Sequence, residues 1–143
     1  MRWRRAAVRF CLPPTCLLCL APGRCDRQGQ AIDLCEACER SLPAAAAVRG
    51  APALRMPPCD FLVAPLRYDW PIDHCVQALK FHGETAHGRL LGLLLAQARR
   101  AVTRPLPEIV LPVPLHRARY LERGYNQAAI IGECAAGALG LPF

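Results

Sequence analysis

Two Cys-x-x-Cys pairs, Cys16 with Cys19 and Cys35 with Cys38, stand 15 residues apart near the start of the chain. No other feature constrains the fold as much. Two sulfurs three positions apart can both turn inward on one tight knuckle, and a second knuckle completes a tetrahedral shell around a single metal ion. A site closed by four thiolates has no open coordination position, so it braces a small loop-rich module and performs no chemistry of its own. Zn2+ in a structural role is the expected cofactor: the single site and the 15-residue loop suit a ribbon, although sulfur ligands alone also accept iron. Cys11 and Cys25 are alternative ligands by proximity, whereas Cys59, Cys75 and Cys134 are isolated and read as core.

Nine cysteines in 143 residues would also fit a secreted disulfide scaffold. Against that, the opening MRWRRAAVRFCLPP carries no apolar stretch of signal-peptide length, and paired Cys-x-x-Cys in a reducing compartment reads as metal binding. A cytoplasmic location is expected. The longest apolar run, residues 90–96, is far below the roughly 20 residues of a membrane span, so no membrane span is expected. Formal charge is +7, with Lys80 the single lysine among 18 cations. Four thiolates on one dication would bring the charge nearer about +5. Such a balance favours phosphate-bearing partners or nucleic acid.

Three regions follow from texture. Residues 1–42 hold the cysteine module, opened by a basic amphipathic stretch with Trp3 and Phe10. Residues 43–59 form an Ala/Pro-rich connector, and residues 60–143 carry strand and helix signals. The runs 61–68 and 108–115 read as strands, the second as a buried parallel one. Periodicity predicts helices over 71–84, 87–102 and about 126–139, with Arg99 and Arg100 complementing the second helix dipole. Strand, helix, strand, helix argues for an α/β layer with parallel pairing. Leu141-Pro142-Phe143 reads as the run-in to another strand, and two strands cannot complete such a sheet, so the α/β part is expected to be incomplete.

The best candidate ligand site is the turn-prone basic stretch after the second strand. Pro112 to Leu115 lead into Arg117, Arg119 and the Arg123-Gly124 step, with Asn126 as a helix cap. Ligands of open α/β sheets gather at the carboxyl ends of strands, a following helix N-terminus offers free amides, and arginines give bidentate phosphate donors. Lys80, at the end of the first helix, is either a dipole complement or an anion contact. The four histidines form no metal pattern. No phosphate-cradling glycine loop, nucleophile elbow or paired acids is present, so these residues alone supply no reaction.

With CLLC, CEAC, LKFHG and LPVPLHRARYLERGYNQAA in this order, the chain resembles the ComF family of double zinc ribbon, phosphoribosyltransferase-like proteins. The resemblance implies a zinc ribbon on Cys16, Cys19, Cys35 and Cys38 followed by part of a type I phosphoribosyltransferase-like α/β domain. It makes the loop at residues 112–115 look like the family's pyrophosphate-side loop. With Lys80, Pro114, Arg117, Arg119, Arg123, Gly124 and Asn126 as the candidate contacts read above, the expected ligand is a phosphorylated small molecule or single-stranded DNA. Some members are linked to DNA uptake during competence, others to use of external DNA or to carbon metabolism, so a DNA-uptake protein is a further expected partner. The family's acidic pair and Thr-Thr-Gly turn for phosphoribosyl pyrophosphate are absent here. The resemblance therefore implies the front part of such a domain, without a catalytic residue. The rival readings are a non-catalytic zinc-stabilised module that binds nucleic acid or a partner, and a truncated remnant without function.

Overall fold

Cys16, Ile32 and Leu34, each at most 1% exposed, are the residues around which the N-terminal segment closes. The structure is a computed structural model that describes residues 13–25, 31–45 and 61–143. The chain divides into two compact units, Met1–Leu42 and Pro43–Phe143. In the first, β1 (Arg24–Cys25) and β2 (Ala31–Ile32) pair antiparallel, with Arg24 opposite Ile32 and Cys25 opposite Ala31. A five-residue helix, α1 (Glu36–Arg40), follows. So small a core cannot hold a fold by apolar burial alone, which is the condition under which metals and other staples are used. Trp3, Phe10 and Cys11, and Cys59 in the connector, lie outside the described residues.

The second unit is built from helices. In α2 (Ile72–Phe81) the buried residues are Ile72, Cys75, Ala78 and Leu79, a single face at helical spacing. The helix ends at His82, followed by Gly83. The long α3 (Thr85–Arg100) crosses α5 (Gln127–Leu139) at very short range. A Cβ on Gly92 would lie 2.6 Å from the Ile131 carbonyl oxygen and 2.8 Å from Cys134 Cβ. The crossing therefore depends on a hydrogen at that position. Cys75 is fully buried, as expected of a core thiol. Cys134 is half-buried, and its thiol donates to the Arg89 carbonyl at 3.3 Å.

The helix expectations are met to within three residues at each end, whereas the strand expectations are not. Segment 61–68 makes a single antiparallel bridge, Leu66 to Ala44. The Arg67 amide bonds to the Pro43 carbonyl at 2.8 Å and the Ala45 amide to the Pro65 carbonyl at 2.9 Å, so the connector begins as that segment's partner. Segment 108–115 forms no strand. Its described backbone pairing is one bond, Val110 amide to Pro142 carbonyl at 3.0 Å, and Ile109, Leu111 and Val113 are 50%, 75% and 77% exposed. Proline at 112 and 114 removes two donors, and a parallel strand needs neighbours that the described residues do not supply. The parallel sheet is not seen: the one sheet among the described residues is the two-stranded β1–β2 pair.

The stretch 116–126, expected as a loop, contains α4 (Arg117–Arg123). Its composition, RARYLER, is rich in good helix formers, and Arg119 meets Glu122 at 2.8 Å three residues on. The His116 ring nitrogen Nδ1 accepts from the Ala118 amide at 3.3 Å. Gly124, at φ +78°, ends the helix in the left-handed region that favours glycine.

Candidate metal centre and basic elbow

The first Cys-x-x-Cys knuckle is shaped by its own backbone. The Leu20 amide donates to the Cys16 carbonyl at 2.9 Å, and the Cys16 amide donates to the Ala21 carbonyl at 2.8 Å. The second knuckle runs into α1: Cys35 is its N-cap, and the Cys38 amide points at the Cys35 sulfur across 3.5 Å. The two knuckles are tied together by the Leu17 amide, which donates to the Asp33 carbonyl at 3.0 Å. Arg24 on β1 forms an ion pair with Glu39 on α1.

These constraints gather four sulfurs. The Sγ atoms of Cys16, Cys19, Cys35 and Cys38 all lie within 4.8 Å of one another, and Cys19 Sγ is 3.6 Å from Cys35 Sγ. A tetrahedral zinc with sulfur at about 2.3 Å requires sulfur–sulfur separations of about 3.8 Å, so one ion can reach all four. Cys25 is exposed and stands outside the cluster.

Electrostatics of the four thiols also suit a cation. Burial pushes the Cys16 thiol up, but the backbone N–H groups of Cys35, Leu18 and Cys19 outweigh it and hold it at about 6. The Cys38 backbone N–H lowers Cys35. At Cys19 the Ala21 N–H acts downward, yet the neighbouring sulfurs of Cys16 and Cys35 leave the thiol raised. The sulfurs of Cys19 and Cys35 drive Cys38 up to about 12. Four sulfurs this close share negative charge poorly, and a divalent ion relieves that repulsion.

In the second unit the structure joins two segments that are far apart in sequence. The Tyr125 hydroxyl donates to the Leu79 carbonyl, and the Arg123 guanidinium lies 5.3 Å from the centroid of the Phe81 ring. Arg123 Nη1 also donates to Gln127 Oε1 at 3.1 Å. Asn126 caps α5 by accepting from the Ala128 amide at 2.9 Å, and its Nδ2 donates to the Val113 carbonyl at 2.9 Å. An elbow, Arg123 to Asn126, is thus clamped onto the end of α2, where half-buried Lys80 lies between its two gripped neighbours.

Of the candidate ligand residues, Lys80, Arg123, Gly124 and Asn126 fall at this elbow. Arg117 and Arg119 are exposed on α4, and Arg119 is engaged by Glu122. Pro114 is exposed in the segment that Asn126 holds through Val113. Tyr125 and Phe81, which make the joint, were missed by reasoning from charge alone. The signal for them was present as an aromatic directly after Lys80 and another one residue beyond the Arg123-Gly124 step. Arg99 and Arg100 lie in the last turn of α3, as expected of dipole partners, and each also makes a specific bond: Arg99, 7% exposed, donates to the Arg104 carbonyl at 3.2 and 3.3 Å, and Arg100 donates to the Ala138 carbonyl.

A cluster of four cysteines able to hold a metal ion, followed by a helical unit with a basic elbow, defines the class of protein. Comparison with known proteins sharpens it. The chain is 30% identical over 122 residues to competence protein F of Haemophilus influenzae, covering 82% of this chain and 53% of that protein. It is 30% identical over 147 residues to the DNA utilization protein YhgH of Salmonella typhi, covering 90% and 63%. The YhgH protein of Salmonella typhimurium is 31% identical over 145 residues, with the same two coverages. On these relatives the chain is assigned to the ComF family. It spans between about half and just under two thirds of their length. No protein-family model matches the chain, and no solved structure matches it. Among the described residues no helix is long and apolar enough to cross a membrane.

Proposed function

We propose that the protein takes part in DNA uptake or use, with a structural zinc ion on Cys16, Cys19, Cys35 and Cys38 and a phosphate-contacting surface on the basic elbow. The observation that carries this reading is the clamp of Arg123 and Tyr125 onto the end of α2. It brings cations from two distant segments, Lys80 and Arg123, to one joint. The names of the relatives, competence protein F and DNA utilization protein, supply the biological setting.

The zinc ion would bind and neutralise thiolates and fix the fold of the first unit. The elbow would hold anionic oxygens through guanidinium groups, which are well suited to bidentate phosphate contacts. The helical unit is read here as part of a phosphoribosyltransferase-like domain, and a phosphorylated small molecule is the alternative ligand of the same cations. No catalytic residue is assigned. Binding of a labelled single-stranded oligonucleotide as a function of salt tests the reading. Backbone contacts release counterions, so affinity should fall steeply with salt. A flat response would contradict it.

A further inference from the structure

The outer face of α2 is unusual for a helix packed on a core. Its inner face is buried, yet the outer positions carry rings: Trp70 just before the helix is 68% exposed, Phe81 at its end is 66% exposed, and His74 and Gln77 between them are exposed too. Within the helix, spacings of three and four residues set His74, Gln77 and Phe81 in one row, and the Trp70 ring joins it through its contact with His74. The Ile72 and Asp73 amides both bond to the Asp69 carbonyl, at 2.8 and 3.1 Å, so the turn bearing Trp70 leads directly into the helix. The rings are organised as well as exposed. Trp70 and His74 have centroids 5.4 Å apart at 48°, and the Arg123 guanidinium lies over Phe81. Two exposed apolar rings, Trp70 and Phe81, with an exposed imidazole between them offer a binding face.

We propose that this row is a stacking platform for the bases of a single-stranded nucleic acid whose backbone follows the basic elbow. The proposal rests on the phosphate-contacting reading of the elbow and adds to it what the bases do. Charge favours this occupant over an apolar protein surface. Arg123 sits on the Phe81 ring and Lys80 is next to it, and with four thiolates on one dication the chain keeps a net positive charge of about +5. Of the carboxylates next to the row in sequence, Asp69 pairs with Arg67 at 2.8 Å and Glu84 faces His87 at 3.3 Å, while Asp73 accepts the His74 amide at 2.7 Å. From His74 to Phe81 the helix rises about 10 Å, close to three base steps at about 3.4 Å. Aromatic platforms beside cations bind single strands with little sequence preference, since every base has a face to stack.

The test uses the full chain carrying Trp3→Phe, which leaves Trp70 as the single tryptophan of the two. A 12-mer of thymidylate and an abasic 12-mer of equal charge are titrated, with Trp70 emission and oligonucleotide anisotropy read together. The thymidylate strand should quench Trp70 and bind about tenfold more tightly than the abasic strand. Phe81→Leu, which keeps apolar bulk but removes the ring, should erase most of that difference. Equal binding of the two strands without quenching would overturn the stacking proposal and leave the backbone reading intact. Binding of neither strand would overturn both. Quenching that grows with protein concentration alone would overturn stacking in favour of a second copy of the chain on this face.

Discussion

The Tyr125 hydroxyl donates a hydrogen bond to the backbone carbonyl of Leu79, 46 residues earlier in the chain. This bond joins two short segments into one elbow. Leu79 lies in the last turn of α2, where carbonyls lack helical partners, and Tyr125 follows the left-handed Gly124 that turns the chain between α4 and α5. The tyrosine thus satisfies an otherwise open acceptor and anchors the turn that follows Arg123.

Tyr125→Phe should therefore cost about 1 kcal/mol of stability and weaken oligonucleotide binding as the elbow loosens. Urea unfolding and anisotropy on the same variant measure both effects. Stability and binding both unchanged from wild type would show that the bond is not a clamp.

The α3–α5 crossing gives a sharper contrast. Gly92→Ala forces a methyl group against the Ile131 carbonyl and should destabilise by about 1–3 kcal/mol. Gly137→Ala on the same α5 has nothing within 4 Å of the added Cβ and should stabilise by roughly 0.5–1 kcal/mol through helix propensity. Thermal unfolding of the two variants should shift in opposite directions.

Burial pushes the Cys75 thiol up to about 11. The folded state holds that proton more tightly than the unfolded chain does. The contribution is therefore fully present below about pH 9 and is lost as pH rises through about 11, amounting to on the order of 2 kcal/mol. The stability gap between wild type and Cys75→Ala should narrow over that window in denaturant titrations. At pH 8 Cys75 should also resist alkylation until the second unit unfolds.

Metal removal bears on the first unit. A chelator should unfold it, and zinc binding should release protons, chiefly from Cys38 and Cys19, whose thiols are raised. Affinity should consequently rise with pH. Elemental analysis should give one zinc per chain, and Cys16→Ser should lose it. A variant that keeps one-to-one zinc would refute this ligand set.

Much of this was legible in the sequence because its signals are local. Cys-x-x-Cys spacing fixes which sulfurs can share a knuckle. The run Ile72, Cys75, Ala78, Leu79 announces a buried helical face, and Asn126 with Gly140 brackets α5. What failed was the non-local part. Residues 108–115 are apolar enough for a buried strand, but strand formation needs neighbours, and apolar content cannot say whether they are there. The α4 helix was hidden because charge drew attention to RARYLER as a loop, although Arg119 and Glu122 stand at helical spacing. The Tyr125–Leu79 bond has no sequence signature beyond an aromatic beside Gly124.

The most direct measurement is the salt dependence of single-strand binding for the wild type and for Lys80→Ala, at the residue between the two gripped neighbours Leu79 and Phe81. With Lys80 on a phosphate, the log–log slope should fall in magnitude by about 0.7 for this one lost contact. A Lys80→Ala slope identical to wild type, or a wild-type affinity indifferent to salt, would contradict the account.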